Sequence, residues 1–248
     1  QNLYIVETHG ALPVAEPCPA VLTYNNMERL TAICILGWCL CFVAMVPARA
    51  ELVDLELVLA VDISGSIDDE EAALQRQGSV KAITDPKVVR TIKAGRRGRI
   101  GLAYFEWAGD HYQRLLVDWA MIHDAASAKR FANELASLPQ KVEFWTSISG
   151  AMEFGALVLS ASPFQGRRRV IDISGDGANN NGAPVLGVWA RTLAKRITIN
   201  GLPIINGRPS RYGTVPIANL DRYYRECVIG GAGAFIVVAN GFKDFARA

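Results

Sequence analysis

Oxygen-bearing side chains come together in two short segments of the sequence. Asp62, Ser64 and Ser66 occupy alternate positions of the segment DISGS, and Gly65 permits a tight turn among them. A second carboxylate, that of Asp176, stands between two glycines in the segment GDG. Side chains at alternate positions of a tight loop can direct three oxygens at one point. These residues are therefore candidates for the ligands of a cation.

Thr146 adds a third hydroxyl, because it lies just before a predicted helix that leads back to the strand ending near Asp176. The complete set has two carboxylates, three hydroxyls and no His or Cys. Oxygen ligands of low total charge are typical of hard, octahedral cations such as Mg²⁺ or Mn²⁺. Two carboxylates only neutralise such an ion, which would remain electrophilic and attract an acidic group of a partner. Taken singly, each residue is more simply explained as a helix cap or a turn residue, whereas their joint position favours a metal site.

The elements that must position these residues alternate between strands and helices. Predicted strands cover residues 55–63, 99–108, 113–119, 169–174, 197–204 and 234–239, and predicted helices cover 68–83, 125–138, 147–160, 184–195 and 220–227. The second and third strands form a hairpin. This order predicts an α/β fold with a doubly wound, mostly parallel six-stranded sheet, one antiparallel edge strand and helices on both faces. Such sheets bind ligands at the carboxyl ends of their strands, where the two acidic segments lie.

The DISGS segment, Thr146 and the GDG segment resemble the metal-ion-dependent adhesion site (MIDAS) of von Willebrand factor A domains, which are Rossmann-like. The resemblance covers residues 51–248. More closely, DISGSIDDEE, YFEWAG, WTSISGAM and VIDISGDGANNNG resemble an uncharacterised family of exported bacterial proteins, domain of unknown function 1194. The resemblance implies the strand order 3-2-1-4-5-6 and an adhesion or interaction module. It also implies that Ser64, Ser66 and Thr146 bind the metal directly, while Asp62 and Asp176 act largely through water.

Four further residues are candidates for supporting the metal or contacting its ligand. Glu106 and Trp107 end the second predicted strand, at the same edge of the sheet as the metal residues. Asn179 and Asn180 belong to the loop that follows GDG, which also fits a solvated loop. Function is often carried by loops at such an edge. At the opposite end, arginine-rich runs at 96–99 and 167–169 are expected to pair with acidic residues of the first strand.

The composition excludes a specialist in nucleic-acid binding, because 26 Lys and Arg residues face 24 Asp and Glu residues, for a net charge of +2. The chain has no dinucleotide loop, Walker loop or HExxH motif. Together with the candidate metal residues and the resemblance to von Willebrand factor A domains, this leads us to expect a protein partner that presents a carboxylate, with no enzymatic activity. A metal-dependent hydrolase and a metal-free scaffold remain the alternatives.

The first 50 residues have a different character from the rest. Residues 30–48 carry no charge, and they are followed by the small-x-small exit Ala48-Arg49-Ala50. This layout predicts a signal peptide at 27–50, cleaved after Ala50, with residues 1–26 as an upstream or disordered extension. Because the apolar run is rather long, an uncleaved membrane anchor is the alternative. Residues 51–248 then form one exported domain, periplasmic or secreted, that contacts a membrane only if the segment 30–48 is retained.

Overall fold

Five strands form a single sheet in the computed structural model, which describes residues 50–207 and 215–247. The strands are β1 (Glu51–Asp62), β2 (Ile100–Trp107), β3 (Gln113–Ile122), β4 (Phe164–Gly175) and β5 (Thr198–Pro203). Their order is β3-β2-β1-β4-β5, and among them β3 alone runs antiparallel to its neighbour. The predicted α/β sheet with one antiparallel edge strand is therefore confirmed. The extension 1–26 and the predicted signal peptide, except for Ala50, lie outside the described residues.

Helices cover both faces of this sheet. They are α1 (Asp69–Thr84), α2 (Pro86–Lys93), α3 (Ala125–Ser137), α4 (Ile148–Ser160), α5 (Val185–Ala194) and α6 (Leu220–Tyr223), which continues as a turn of π-helix over Tyr224–Val228. The first three pack on one face and the last three on the other. The sequence prediction has no counterpart of α2, although Asp85 caps it and Pro86 occupies its first position. No helix within 50–207 and 215–247 is long and apolar enough to cross a membrane, and the segment 30–48 lies outside these residues.

The central strand β1 explains the continuous apolar run in the sequence. It pairs in parallel with β2 on one side and β4 on the other. Its residues alternate between two cores, with Val58 and Ala60 facing one and Leu59 and Val61 facing the other. A strand covered on both faces needs apolar residues at every position, which is the pattern observed.

The prediction of a sixth strand at 234–239 is wrong. These residues lie beside β5 and parallel to it, but isolated bridges replace a continuous ladder. Gly201 donates to one backbone group of this segment and accepts from another, and the carbonyl of Pro203 accepts from Ala239 (3.0 Å). In a regular parallel ladder, the next hydrogen bond after those of Gly201 is donated by the N–H of residue 203, which proline lacks. The ladder is therefore interrupted at Pro203.

Acidic residues at the opposite end of β1 bind mainly to backbone groups. Asp54 accepts hydrogen bonds from the N–H groups of Arg97 (2.8 Å) and Gly98 (2.9 Å). Glu51 forms the expected ion pair, with Arg99 (3.0 Å). The expected charge pairing thus holds for one side-chain pair, while Asp54 organises the turn before β2.

Candidate metal centre

The loop after β1 holds the first three candidate ligands. Asp62 is the last residue of the strand and is completely buried, and its Oδ1 accepts a hydrogen bond from the N–H of Ser64 (2.7 Å). This bond closes a tight turn in which the hydroxyls of Ser64 and Ser66 lie 3.2 Å apart. Asp68 then caps α1, so the loop is fixed between a central strand and the start of a helix.

Asp176 reaches the same point from the neighbouring strand. Because β4 is parallel to β1, its carboxyl end lies beside the DISGS loop. The Ser66 hydroxyl donates a hydrogen bond to Asp176 Oδ1 at 2.6 Å. The two acidic segments of the sequence are therefore in direct contact.

Two hydrogen bonds with Asn180 hold Thr146 against the loop that contains GDG. Its N–H donates to Asn180 Oδ1 (2.8 Å), and the N–H of Asn180 donates back to the Thr146 carbonyl (2.9 Å). Its hydroxyl lies against Gly177, where an added Cβ would be 3.4 Å from Thr146 Oγ1. Asn179 Oδ1 accepts from the N–H of Ser149 in α4 (2.9 Å). The two asparagines thus hold Thr146 and the start of α4 against the strand end.

Both carboxylates of the cluster resist ionisation in this environment. Burial raises the pKa of Asp62 well above its usual value, and the charge of Asp176 raises it further. Burial also raises the pKa of Asp176 to about 6, although the hydrogen bond from Ser66 opposes this shift. Each shift reflects mainly the cost of placing negative charge where water solvates it poorly.

Two buried oxygens behind the cluster make no hydrogen bond to any described residue. They are Asp62 Oδ2 and the hydroxyl of Tyr224. Both lie beside Gly175, where an added Cβ would be 2.7 Å from the carboxylate oxygen and 2.9 Å from the phenol oxygen. Burial raises the pKa of Tyr224 well above its usual value, so the phenol remains neutral. The free Asp62 oxygen is the kind of buried acceptor that a cation or its bound water satisfies.

The donor set fits a hard divalent cation. Within the described ranges, no three or more His, Cys, Asp or Glu side chains form a group that could hold a metal ion. Any metal here would therefore depend on the hydroxyls of Ser64, Ser66 and Thr146 together with the two carboxylates. Such an all-oxygen set suits Mg²⁺ or Mn²⁺ rather than a soft metal.

Glu106 and Trp107 lie deeper than the sequence suggests. Glu106 is 4 % exposed and pairs with Arg76 of α1. Trp107 is completely buried in the core beneath α4 and α5. They point to opposite faces of β2, and neither lines the cavity above the metal ligands. That cavity has a volume of about 360 Å³ and includes Ser66, Thr146, Asp176 and Asn180 in its lining.

Sequence reasoning missed several residues around this centre. Tyr224 reads as part of an ordinary helix, and nothing in the sequence indicates that its hydroxyl approaches Asp62. Phe144 and Trp145 line the cavity, as does Ile217. Phe144 and Trp145 could have been noticed in the sequence, because two adjacent aromatic residues are unusual in a polar loop and these directly precede Thr146.

The family of the chain follows from its sequence. Residues 52–248 match the family model described as protein of unknown function DUF1194. The chain belongs to this family. No curated protein matches it.

Solved structures similar to this DUF1194 domain share its fold at low sequence identity. An aerotolerance-related membrane protein from Bacteroides fragilis is 19% identical with a TM-score of 0.51, and the match covers 78% of this chain and 95% of that one. Proximal thread matrix protein 1 from the mussel byssus, solved with a zinc-occupied MIDAS motif, is 14% identical with a TM-score of 0.57, over 79% of this chain and 46% of that one. A von Willebrand factor type A protein from Catenulispora acidiphila is 11% identical with a TM-score of 0.52, over 79% and 41%. The DUF1194 domain therefore has a von Willebrand factor A-like fold, and it spans less than half the length of the last two proteins.

Proposed function

We propose that the DUF1194 domain is an exported protein-binding module that depends on a divalent metal. Asp62, Ser64, Ser66, Thr146 and Asp176 would hold Mg²⁺ or Mn²⁺. The metal, when bound, supplies an electrophilic centre for a carboxylate of a partner protein. The serine and threonine hydroxyls would bind the ion directly, and the two aspartates would bind largely through water.

The observation that carries this proposal is the meeting of a buried carboxylate, a partly buried one and three hydroxyls from separate loops. Buried carboxylates without a cation are costly, and the raised pKa values of Asp62 and Asp176 express that cost. A divalent cation would remove it. Because only two carboxylates surround the ion, it keeps affinity for a third from outside. The mussel protein with the same fold carries zinc in its MIDAS motif, which supports a divalent ion without selecting the metal.

Isothermal titration calorimetry with Mg²⁺ and Mn²⁺ tests the metal site. We expect one site in the natural protein. Binding should be at least about tenfold weaker in Asp176→Asn, which loses a compensating charge, and in Ser66→Ala, which loses a ligand oxygen.

Asp172→Asn is the matched control for Asp176→Asn. Asp172 lies in β4, the strand that leads to Asp176, and burial raises its pKa to about 6 as well. Its Oδ1 accepts a hydrogen bond from Asn200 (2.7 Å), away from the metal residues. This variant should bind metal like the natural protein. Equal loss in both variants, or no metal binding by the natural protein, would contradict the proposal.

Capture of partner proteins with and without a chelator tests what the metal is for. We expect chelation to abolish capture. Capture that persists in chelator would support the metal-free scaffold, and metal-dependent turnover of phosphate or acyl esters would support the hydrolase.

Export is the second part of the proposal, with residues 27–50 as the signal peptide. β1 begins at Glu51, so cleavage after Ala50 would leave every described strand intact. Expression in a bacterium from Met27, followed by N-terminal sequencing of the exported protein, should give Glu51 as the first residue. Retention of residues 30–48 in a membrane fraction would instead identify an anchor.

A further inference from the structure

Exposed apolar residues surround the mouth of the candidate metal centre. Phe144, Trp145, Val215 and Ile217 line its cavity and are 62%, 64%, 75% and 47% exposed. They are four of the nine large apolar residues that are exposed in the described part of the chain, so nearly half of these residues border one cavity. Exposed apolar side chains concentrated around a concave site are typical of a binding surface. We call these four residues the apolar rim.

Trp145 is held in the rim by a backbone conformation that is costly for tryptophan. Its φ is 66°, in the left-handed region that large side chains rarely adopt. Hydrogen bonds fix the residues on both sides, because Gly109 donates to the Phe144 carbonyl (3.0 Å) and Thr146 is bonded to Asn180. The strained residue therefore lies between two anchored ones, and its side chain is directed to solvent beside a candidate metal ligand. Strain of this kind is concentrated at ligand sites.

The floor of the cavity is charged, whereas its rim is apolar. Asp176 is the single charged residue among the described residues that line it. A metal ion held by Asp62, Asp176 and the hydroxyls would attract a carboxylate to the floor of the cavity. The group next to that carboxylate would then meet the rim. A polar neighbour would leave the rim in water, whereas an apolar neighbour would cover it and gain the free energy of burial.

We propose that the partner presents an acidic residue directly followed by a large apolar side chain. The carboxylate binds the metal, and the apolar side chain packs against Trp145 and Ile217. This inference rests on the proposed metal-dependent function and adds the selectivity that the metal alone does not provide, because a metal ion binds any accessible carboxylate.

Two synthetic peptides of equal charge test this selectivity on the Mn²⁺-loaded protein. Acetyl-Gly-Ser-Asp-Leu-Phe-Gly-amide and acetyl-Gly-Ser-Asp-Ser-Ser-Gly-amide each carry one carboxylate and differ in the residues that follow it. By calorimetry, the Leu-Phe peptide should bind about tenfold more tightly. Partial burial of one large apolar side chain contributes a binding free energy that corresponds to about this ratio of affinities.

Trp145→Asn is the diagnostic variant, since asparagine tolerates a positive φ and removes the apolar ring. The difference between the peptides should shrink to about threefold or less, while binding of Mn²⁺ alone stays unchanged. Leu157→Gln is the matched control, because Leu157 is 61% exposed and lies outside the cavity. It should keep the tenfold preference. Ile217→Ser provides a second rim variant if Trp145→Asn displaces the neighbouring Thr146 and so weakens Mn²⁺ binding.

The outcomes separate the inference from the function on which it rests. Equal affinities of the natural protein for the two peptides would overturn the inference and leave the metal-dependent function standing. Mn²⁺ binding with no affinity for either peptide would overturn both the inference and the proposed carboxylate contact. Loss of the preference in both Leu157→Gln and Trp145→Asn would also overturn the inference, because the effect would then not belong to the rim.

Discussion

Protonation of single side chains would set the chemistry of the proposed metal centre. Burial is the largest cause of the raised pKa of both Asp62 and Asp176, and their mutual repulsion adds to it for Asp62. Two carboxylates that share a buried site without a cation hold a proton at a pH where an exposed aspartate has lost it. A metal ion must displace that proton, so metal binding and protonation are linked.

We therefore expect Mn²⁺ affinity to fall on acidification. With a pKa of about 6 for Asp176, protonation of this group alone should decrease the affinity about fivefold between pH 6 and pH 5, and about tenfold for each pH unit below that. Calorimetry across pH 5 to 8, with the buffer's proton heat subtracted, measures this. Ser66→Ala removes the hydrogen bond that lowers the pKa of Asp176, so its curve should move to higher pH. An affinity that does not change with pH would contradict the assignment of these carboxylates as ligands.

The raised pKa of Asp176 has the opposite effect on the stability of the metal-free fold, which is greater at low pH. The folded state of the metal-free domain binds a proton at Asp176 more tightly than the unfolded chain does. The contribution of this group to stability is therefore complete below pH 4 and is lost as the pH rises through about 6. The metal-free protein should therefore be less stable at neutral pH than at low pH, whereas the affinity for metal is expected to be higher at neutral pH.

At the scale of elements, Arg76 of α1 joins a strand and a second helix. Its guanidinium donates to the carbonyls of Leu135 (3.1 Å) and Leu138 (2.9 Å) at the end of α3, and it pairs with Glu106 of β2. Burial raises the pKa of Glu106 even though Arg76 lowers it. Desolvation thus outweighs the attraction within the pair, so its main effect is to fix α1 against β2.

Glu106→Gln should destabilise the domain by about 3 kcal/mol, because the guanidinium of Arg76 would stay buried without its counter-charge. Chemical denaturation measures this change. The control is Glu153→Gln, which breaks an exposed pair with Arg191 (2.6 Å) and should cost less than about 1 kcal/mol. Equal costs for the two variants would show that burial of the Arg76 pair is unimportant.

The elements also show which features a sequence pattern can predict. The apolar run predicted as a strand at 55–63 and the helix predicted at 68–83 are local signals, and the structure has a strand at Glu51–Asp62 and a helix at Asp69–Thr84. The break at Pro203 was missed because residues 234–239 are apolar and the missing donor belongs to the neighbouring strand. The pair of Arg76 and Glu106 was missed because the residues are 30 positions apart and their burial depends on packing. The candidate ligands could be predicted because parallel strands place their carboxyl ends together, whereas the apolar rim depends on loop conformation.

At the scale of the whole molecule, the proposed metal centre connects parts of the chain that are distant in sequence. Asp62 ends the central strand, Asp176 follows its neighbour, and Thr146 precedes α4, which packs across the core beneath them. A ligand that binds all three is bound by the folded state alone, because the unfolded chain does not hold these oxygens together. Metal binding therefore adds directly to the free energy of unfolding.

We expect Mg²⁺ or Mn²⁺ at about one hundred times its dissociation constant to stabilise the domain by about 2.7 kcal/mol. For a domain of roughly 200 residues this corresponds to an increase in Tm of about 5–10 °C. Thermal unfolding in metal and in chelator measures the difference, and the increase should be absent in Asp176→Asn and retained in Asp172→Asn. The comparison is best made at pH 7.5, where the metal-free form carries the full cost of its buried carboxylates and the cation has most to offset. Identical Tm values in metal and in chelator for the natural protein would mean that the cluster of oxygens at the ends of β1 and β4 does not act as a metal centre.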